Sequence, residues 1–513
     1  MRALVLAIAI TGLAAAQKFY PDDPLRREPK PLSIEKVLSR KVEDYFDFFH
    51  NTFAPPGDRN RIPAQGVNTL GEPMDGAWYT HRHYFRRMSP DELALGPGGK
   101  TPPAAGPWTV IRAKGEGITP GFTILDREGR RYFLKFDPPD NMEMATAADV
   151  ISSRFFHALG YHVADQYLVY FDASRLVLGK DVKIADELGR RRPMTSRDLT
   201  EILLKTRPYR DGKYRAVASL QIPGEGRGPF RFFGQRKDDP NDVVPHEHRR
   251  DLRGLYVFCA WLNHEDSRAI NTFDSLVEEG GAQYLRHYLL DFGSTLGSAS
   301  TKPNPARSSH EPLFSWRHAA VNILSLGLYL PHWTRVHYPD YPAVGRFEAS
   351  AFDPDRWYPE YRNAAFDNRL PDDDFWAAKQ VLAFTDEDVR AIVRTGEYGD
   401  REVEDYMVRT LAARRDRIGK TFLPRVLPLD RFEVRGAKLV FEELAPAGEL
   451  RVAWSAFDNG SGQKSAIEGA NTFELPRSGA EYLVADISRI GDDKRTLSVY
   501  VRKSEVVGIE RRW

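Results

Sequence analysis

The sequence predicts an α+β protein in which strands and helices are segregated along the chain. Three observations predict it. Short β-like runs flanking a glycine-rich turn begin near residue 107. Helical spacing dominates residues 316 to 425, and alternation of apolar and polar residues takes over past Pro428.

Taken in order, Arg2, the apolar run Leu4 to Leu13 and the small residues Ala14-Ala15-Ala16 read as a secretory signal peptide over 1–16. The run is shorter than the roughly 20 residues a membrane span needs, so no stable membrane span is expected and the protein is expected to be secreted or periplasmic. Residues 17–106 read as an N-terminal extension rich in Pro, Gly and charge. Within it, Ile34, Val37, Val42 and Phe46 recur at helical spacing, which predicts a helix over 31–50 capped by Ser33. Ser89 and Glu92 form a capping box before Leu93 and Leu95.

Strands are expected at Trp108–Arg112, Phe122–Leu125 and Tyr132–Phe136, with Gly115, Gly117 and Gly121 in the turn before the second. A helix over Met144–Leu159 ends at Gly160. Strands Tyr167–Phe171 and Tyr214–Ile222 flank an inserted helix, Ser196–Lys205. Phe230-Arg231-Phe232-Phe233 reads as a buried strand, and Pro245 opens a helix through Trp261. The apolar stretch Ala319 to Leu330 reads as a buried helix. Thr385 and Asp388 cap a further helix, and Glu402–Phe422 forms another. Residues 429–513 alternate over Lys438–Glu442, Glu449–Trp454, Tyr482–Ile487 and Leu497–Val501, which predicts a small all-β module.

Composition bounds the function. Lys plus Arg number 73 against 72 Asp plus Glu, so the basic excess of a nucleic-acid binder is missing and no nucleic acid is expected as a partner. The single cysteine, Cys259, sits in an apolar run and reads as a core thiol, so no disulfide scaffold is available. The pairs His81/His83 and His246/His248 lack the third ligand a zinc site needs.

Residues 263 to 293 carry the chemistry. His264-Glu265-Asp266 closes a helix, Asn271 follows five residues after Asp266, and a strand delivers Asp291-Phe292-Gly293. Transfer of a phosphoryl group to a hydroxyl needs a proton acceptor in line with the γ-phosphate, and Asp266 suits that task. The phosphates need a hard cation, Mg²⁺, for which Asn271 and Asp291 offer oxygen ligands. Arg268 is placed to steady the transferring group. Gly293 is expected to let the chain turn sharply after Asp291.

With these residues the sequence resembles the protein-kinase-like superfamily, whose catalytic loop reads HRD, four residues, N, and whose metal loop reads DFG. Here the first is His264-Glu265-Asp266 with Asn271 at the kept spacing, and the second is intact. Phe133-Leu134-Lys135 resembles the third-strand lysine motif. Lys135-Phe136-Asp137-Pro138 is similar to the strand end of the atypical bacterial branch, the HipA-like and CotH-like kinases. Glu265 stands where the superfamily usually has Arg, which removes the expected partner of a phosphorylated activation loop.

The resemblance implies a bilobal kinase-like fold, with an N-lobe over 107–225, a helical C-lobe over 226–428 and the β module after it. It implies ATP and Mg²⁺ as cofactors, with Gly115, Gly117 and Gly121 letting backbone amides approach the phosphates and Lys135 clamping the α- and β-phosphates. The carboxylate that orients Lys135 is Asp149 or Glu143. The activity implied is ATP-dependent phosphotransfer to a protein or small-molecule hydroxyl. Two alternatives stay open: an inactive pseudokinase that holds partners by the β module or by residues 298–345, and nucleotidyl transfer on the same fold.

Overall fold

The computed structural model describes residues 17–99, 101–114, 120–185 and 190–513. The signal-peptide expectation at 1–16 and the turn glycines Gly115 and Gly117 lie outside the described residues. The chain is α+β and divides into two compact units, one of Arg26–Val67 with Pro73–Leu423, the other including residues 17–25, Asn68–Glu72 and Pro424–Trp513.

The larger unit contains a six-stranded sheet ordered Gln166–Phe171, Tyr214–Leu220, Arg131–Phe136, Gly121–Leu125, Trp108–Lys114 and Leu176–Leu178. Only the last pairing is parallel. Inward-facing Val110, Ile124, Tyr132, Leu134, Ala216 and Ala218 bury one side, as period-two alternation requires. A second sheet joins Glu225–Gly228, Thr272–Glu279, Ala282–Leu289 and His162–Val163. Its central hairpin turns at Gly280 and Gly281, both with positive φ (60° and 75°), the conformation glycine adopts without steric cost.

The helices Met144–Ala158, Arg250–Leu262, Pro371–Leu382, Asp386–Arg394 and Arg401–Phe422 supply most of the remaining core. Arg250–Leu262 is buried on every face, Cys259 included. Both predicted capping boxes form, at Ser89/Glu92 and Thr385/Asp388. Among the described residues no helix is long and apolar enough to cross a membrane.

Several expectations need correcting. The helix expected over 31–50 covers only Asp44–Phe53. Upstream the chain is extended, because its backbone groups have tertiary partners. The Ile34 amide donates to the Gln283 carbonyl (2.7 Å), and Ser33 Oγ accepts from the Gln283 amide (3.1 Å) instead of capping a helix. Ile34 and Val37 are indeed buried, but against Leu276 and Leu285. Phe230–Phe233 is loop, with Phe230 and Phe232 buried. The stretch 319–330 is not a buried helix: a helix covers Trp316–Leu324, and Ile323, Leu324, Leu326, Leu328 and Leu330 are all exposed.

The smaller unit is all antiparallel. The hairpin Leu429–Arg435/Lys438–Glu443 accompanies a five-stranded sheet ordered Lys464–Ala466, Leu450–Phe457, Tyr482–Arg489, Asp492–Arg502 and Glu505–Arg512. Trp454, Ile487, Leu497 and Val499 centre its core. A second cluster is closed by Phe19, which is 1% exposed and lies 5.8 Å from the ring of Tyr482 and 5.0 Å from that of Tyr500.

Candidate active site

A cleft of about 890 Å³ opens on the six-stranded sheet, lined by Ile111, Phe122, Phe133 and Val217 on its apolar side and by Lys135, Asp149 and Asp291 on its polar side. Lys135 lies one residue from the end of the strand Arg131–Phe136, in register with Gly121 on one neighbour and Val217 on the other.

The Lys135 ammonium bridges two carboxylates. Its Nζ lies 3.1 Å from Asp149 Oδ2 and 2.7 Å from Asp291 Oδ1. Asp149 comes from the helix Met144–Ala158 and is 1% exposed. Burial drives its carboxyl upward, opposed by Lys135. For Lys135 itself, burial pulls the ammonium down, but Asp149 and then Asp291 outweigh that and hold it above its ordinary value. The rival Glu143 is engaged elsewhere. It precedes the same helix at φ 73°, receives the Tyr209 hydroxyl and accepts from the Gly399 amide at 2.9 Å.

The strand Ala282–Leu289 carries the chain to Asp291, which adopts a left-handed conformation at φ 60° before the turn Phe292–Ser294. The sharp turn expected of Gly293 is therefore made at Asp291. At Gly293 a Cβ would sit 3.3 Å from Ser300 Oγ, a contact the hydroxyl can relieve by a small shift, and 3.9 Å from Asp149 Oδ2, an ordinary contact. Phe292 is buried, stacked on Phe156 of the same helix as Asp149 with ring centroids 4.8 Å apart. Packing at Phe292 thus couples the positions of the two carboxylates.

The residues expected to form the catalytic loop follow the helix Arg250–Leu262, which ends at Asn263 in the left-handed region (φ 53°). Asp266 is ion-paired with Arg268, and the Ser294 hydroxyl donates to its Oδ2 at 3.4 Å. Burial pushes the Asp266 carboxyl up to about 7, with Arg268 opposing and Glu360 adding to the rise. Arg268 also reaches Asp44 (2.9 Å) and Glu360 (3.3 Å). Asn271 Nδ2 donates to the Asp266 carbonyl at 2.7 Å, which assigns the amide nitrogen to that bond and leaves Oδ1 as its acceptor atom. Glu265 turns away into the loop that follows, accepting from Ser308 Oγ (2.8 Å) and the Ser309 amide (3.2 Å).

The structure therefore brings Lys135, Asp149 and Asp291 into direct contact, and joins Asp266, Arg268 and Asn271 in a neighbouring network linked through Ser294. Among the described residues no group of three or more His, Cys, Asp or Glu gathers as a metal cage. The donor set suits Mg²⁺ nonetheless: Asn271 and Asp291 are hard oxygen donors, and Mg²⁺ usually takes only one or two protein ligands beside phosphate and water.

Sequence reading missed three cations on the cleft wall. Arg112 lies on the strand Trp108–Lys114, and Lys183 and Arg191 on a small hairpin, Lys183–Ala185 with Arg191–Pro193. The hairpin strands are three residues each, too short for alternation to mark them.

No protein family and no curated protein matches this sequence. Among solved structures the chain is similar to the Helicobacter pylori proinflammatory kinase CtkA, at 12% identity over 62% of this chain and 98% of that one, with a TM-score of 0.31.

Proposed function

We propose that the protein is an ATP- and magnesium-dependent phosphotransferase acting on a hydroxyl of a protein or small molecule. The observation that carries this reading is Lys135 held between Asp149 and Asp291 at the polar side of the cleft. A cation fixed by a buried carboxylate on one side is preset to meet a polyanion, and its second partner can exchange a lysine contact for a metal. In this reading Asp149 orients Lys135, and Lys135 contacts the α- and β-phosphates. Gly121 would allow close backbone approach. Asn271 and Asp291 would hold Mg²⁺, which when bound neutralises charge on the phosphates.

Asp266 would accept the proton of the attacking hydroxyl. A carboxyl raised to about 7 suits that role, since a base works best with its pKa near the working pH. Arg268 would position Asp266, because it also ties the loop to Asp44 and Glu360.

The test is thermal denaturation of the purified protein with ATP or GTP, with and without Mg²⁺. The wild type is expected to be stabilised by nucleotide only when Mg²⁺ is present, and Asp291→Ala to lose that dependence. A wild type that gains no stability from either nucleotide under any metal condition overturns the phosphotransferase reading in favour of a scaffold.

A further inference from the structure

We infer that residues 312–339, with the adjoining end of the helix Asp44–Phe53, form a surface that docks onto an anionic lipid bilayer. This stands independently of the phosphotransfer reading.

Water-facing apolar side chains are concentrated here. Leu324, Leu326 and Leu328 are 84%, 88% and 83% exposed, and Trp316, Ile323 and Leu330 are exposed as well. The patch continues onto the neighbouring helix. Phe53 lies 5.1 Å from Phe314 and 6.4 Å from Trp316 between ring centroids, and Phe46 and Phe49 on the same helix are exposed. Contiguous apolar surface of this kind marks an interaction site rather than ordinary solvent-facing surface.

Charge selects the partner. Residues 312–339 contain no Asp or Glu but carry the cations Arg317 and Arg335. Both arginines are exposed. Of the acids beside the patch, Glu311 accepts from Trp333 Nε1 (3.1 Å) and pairs with His318, Asp44 pairs with Arg268, and Asp47 is buried against the Tyr361 hydroxyl, while Asp340, just past the segment, is exposed. Glu43 remains exposed, at the opposite end of its helix from Phe53. A second copy of this surface would bring like charges together, whereas an anionic membrane complements them. Aromatic and leucine side chains mixed with cations suit the headgroup region. The segment would lie on the membrane rather than span it, since no described helix is long and apolar enough to cross.

The full-length protein is tested by cosedimentation with vesicles of phosphatidylcholine plus phosphatidylglycerol and with vesicles of phosphatidylcholine alone. The expected result is binding to the anionic vesicles that weakens with salt, and binding at least about tenfold weaker to the neutral ones. Leu324→Glu/Leu328→Glu and Arg317→Glu/Arg335→Glu should each lower the bound fraction severalfold with an unchanged thermal transition, as exposed positions allow. Absence of vesicle binding, equal binding to both compositions, or variants that bind like the wild type overturns the inference. So does a dimer in light scattering that Leu324→Glu dissolves while vesicle binding is absent, since the surface would then join two copies of the chain.

Discussion

Replacing Asp266 with asparagine should slow the protein chemically and strengthen it physically. In the folded chain burial lifts the Asp266 carboxyl from 3.8 to about 7. At about pH 6 only roughly one molecule in ten then holds the ionised base, and at about pH 8 nearly all do, so wild-type turnover should climb about tenfold between them. Asparagine cannot accept the proton, and turnover should fall by roughly 10²- to 10⁴-fold with nucleotide binding retained.

The same displacement of the carboxyl sets stability. Unfolded, it titrates near 3.8; folded, it holds its proton to about 7. The folded state therefore binds more protons across that window, and stability falls as pH rises through it. At about 1.4 kcal/mol for each tenfold change in proton affinity, the penalty above pH 7 has a ceiling of about 4 kcal/mol. Asparagine escapes the penalty, which already includes the opposing pull of Arg268, so a gain of up to about 4 kcal/mol is expected at pH 8 and none at pH 4. Single-turnover phosphate transfer and denaturant titration at both pH values measure the two effects. A flat wild-type pH profile, wild-type turnover in Asp266→Asn, or loss of nucleotide binding in that variant refutes the assigned role.

Other outcomes follow from the same geometry. Asp149→Ala should weaken nucleotide-dependent stabilisation, whereas Glu143→Gln should leave it intact, because Glu143 bonds Tyr209 and Gly399 rather than Lys135; equal losses in a thermal-shift titration would contradict this. Phe19→Ala should destabilise the C-terminal β unit by about 3–5 kcal/mol, read from hydrogen exchange of the strands Tyr482–Arg489 and Asp492–Arg502; unchanged protection there would show that Phe19 contributes no packing. Protein from the native host should begin near Gln17 by intact-mass analysis, and a mass that retains Arg2 would exclude cleavage at the alanine triplet.

The grouping of the candidate residues was more legible in the sequence than the surroundings that hold them. Asp266, Asn271 and Asp291 were legible because their spacing is local, within one loop and one hairpin. Asp149 was legible only as one of two acids, since choosing it over Glu143 depends on which carboxylate the helix turns toward Lys135. Glu360 and Asp44, which fasten Arg268, were out of reach because they come from distant parts of the chain. The helix predicted over 31–50 failed over residues 31–43 for a related reason. Its apolar spacing was genuine, but hydrogen bonding to Gln283 and packing on Leu276 and Leu285 favour an extended path. Burial of residues 319–330 failed because an apolar run indicates a covered surface without naming what covers it.

Phe19 closes the aromatic cluster of the C-terminal unit, and its neighbour Lys18 bonds the Tyr500 hydroxyl at 3.1 Å across 482 positions of sequence. The β unit of residues 424–513 therefore depends on a piece of chain that precedes it by more than 400 residues in sequence. During folding, residues 424–513 can form their strands but cannot seal this cluster until the segment around Phe19 finds them. Loop closure over that span is entropically costly and slow relative to local hairpin formation. Completion of this unit thus reports on the integrity of the segment around Phe19, and a protease that cuts between Phe19 and Leu25 would unseal a β-sheet more than 400 residues away in sequence.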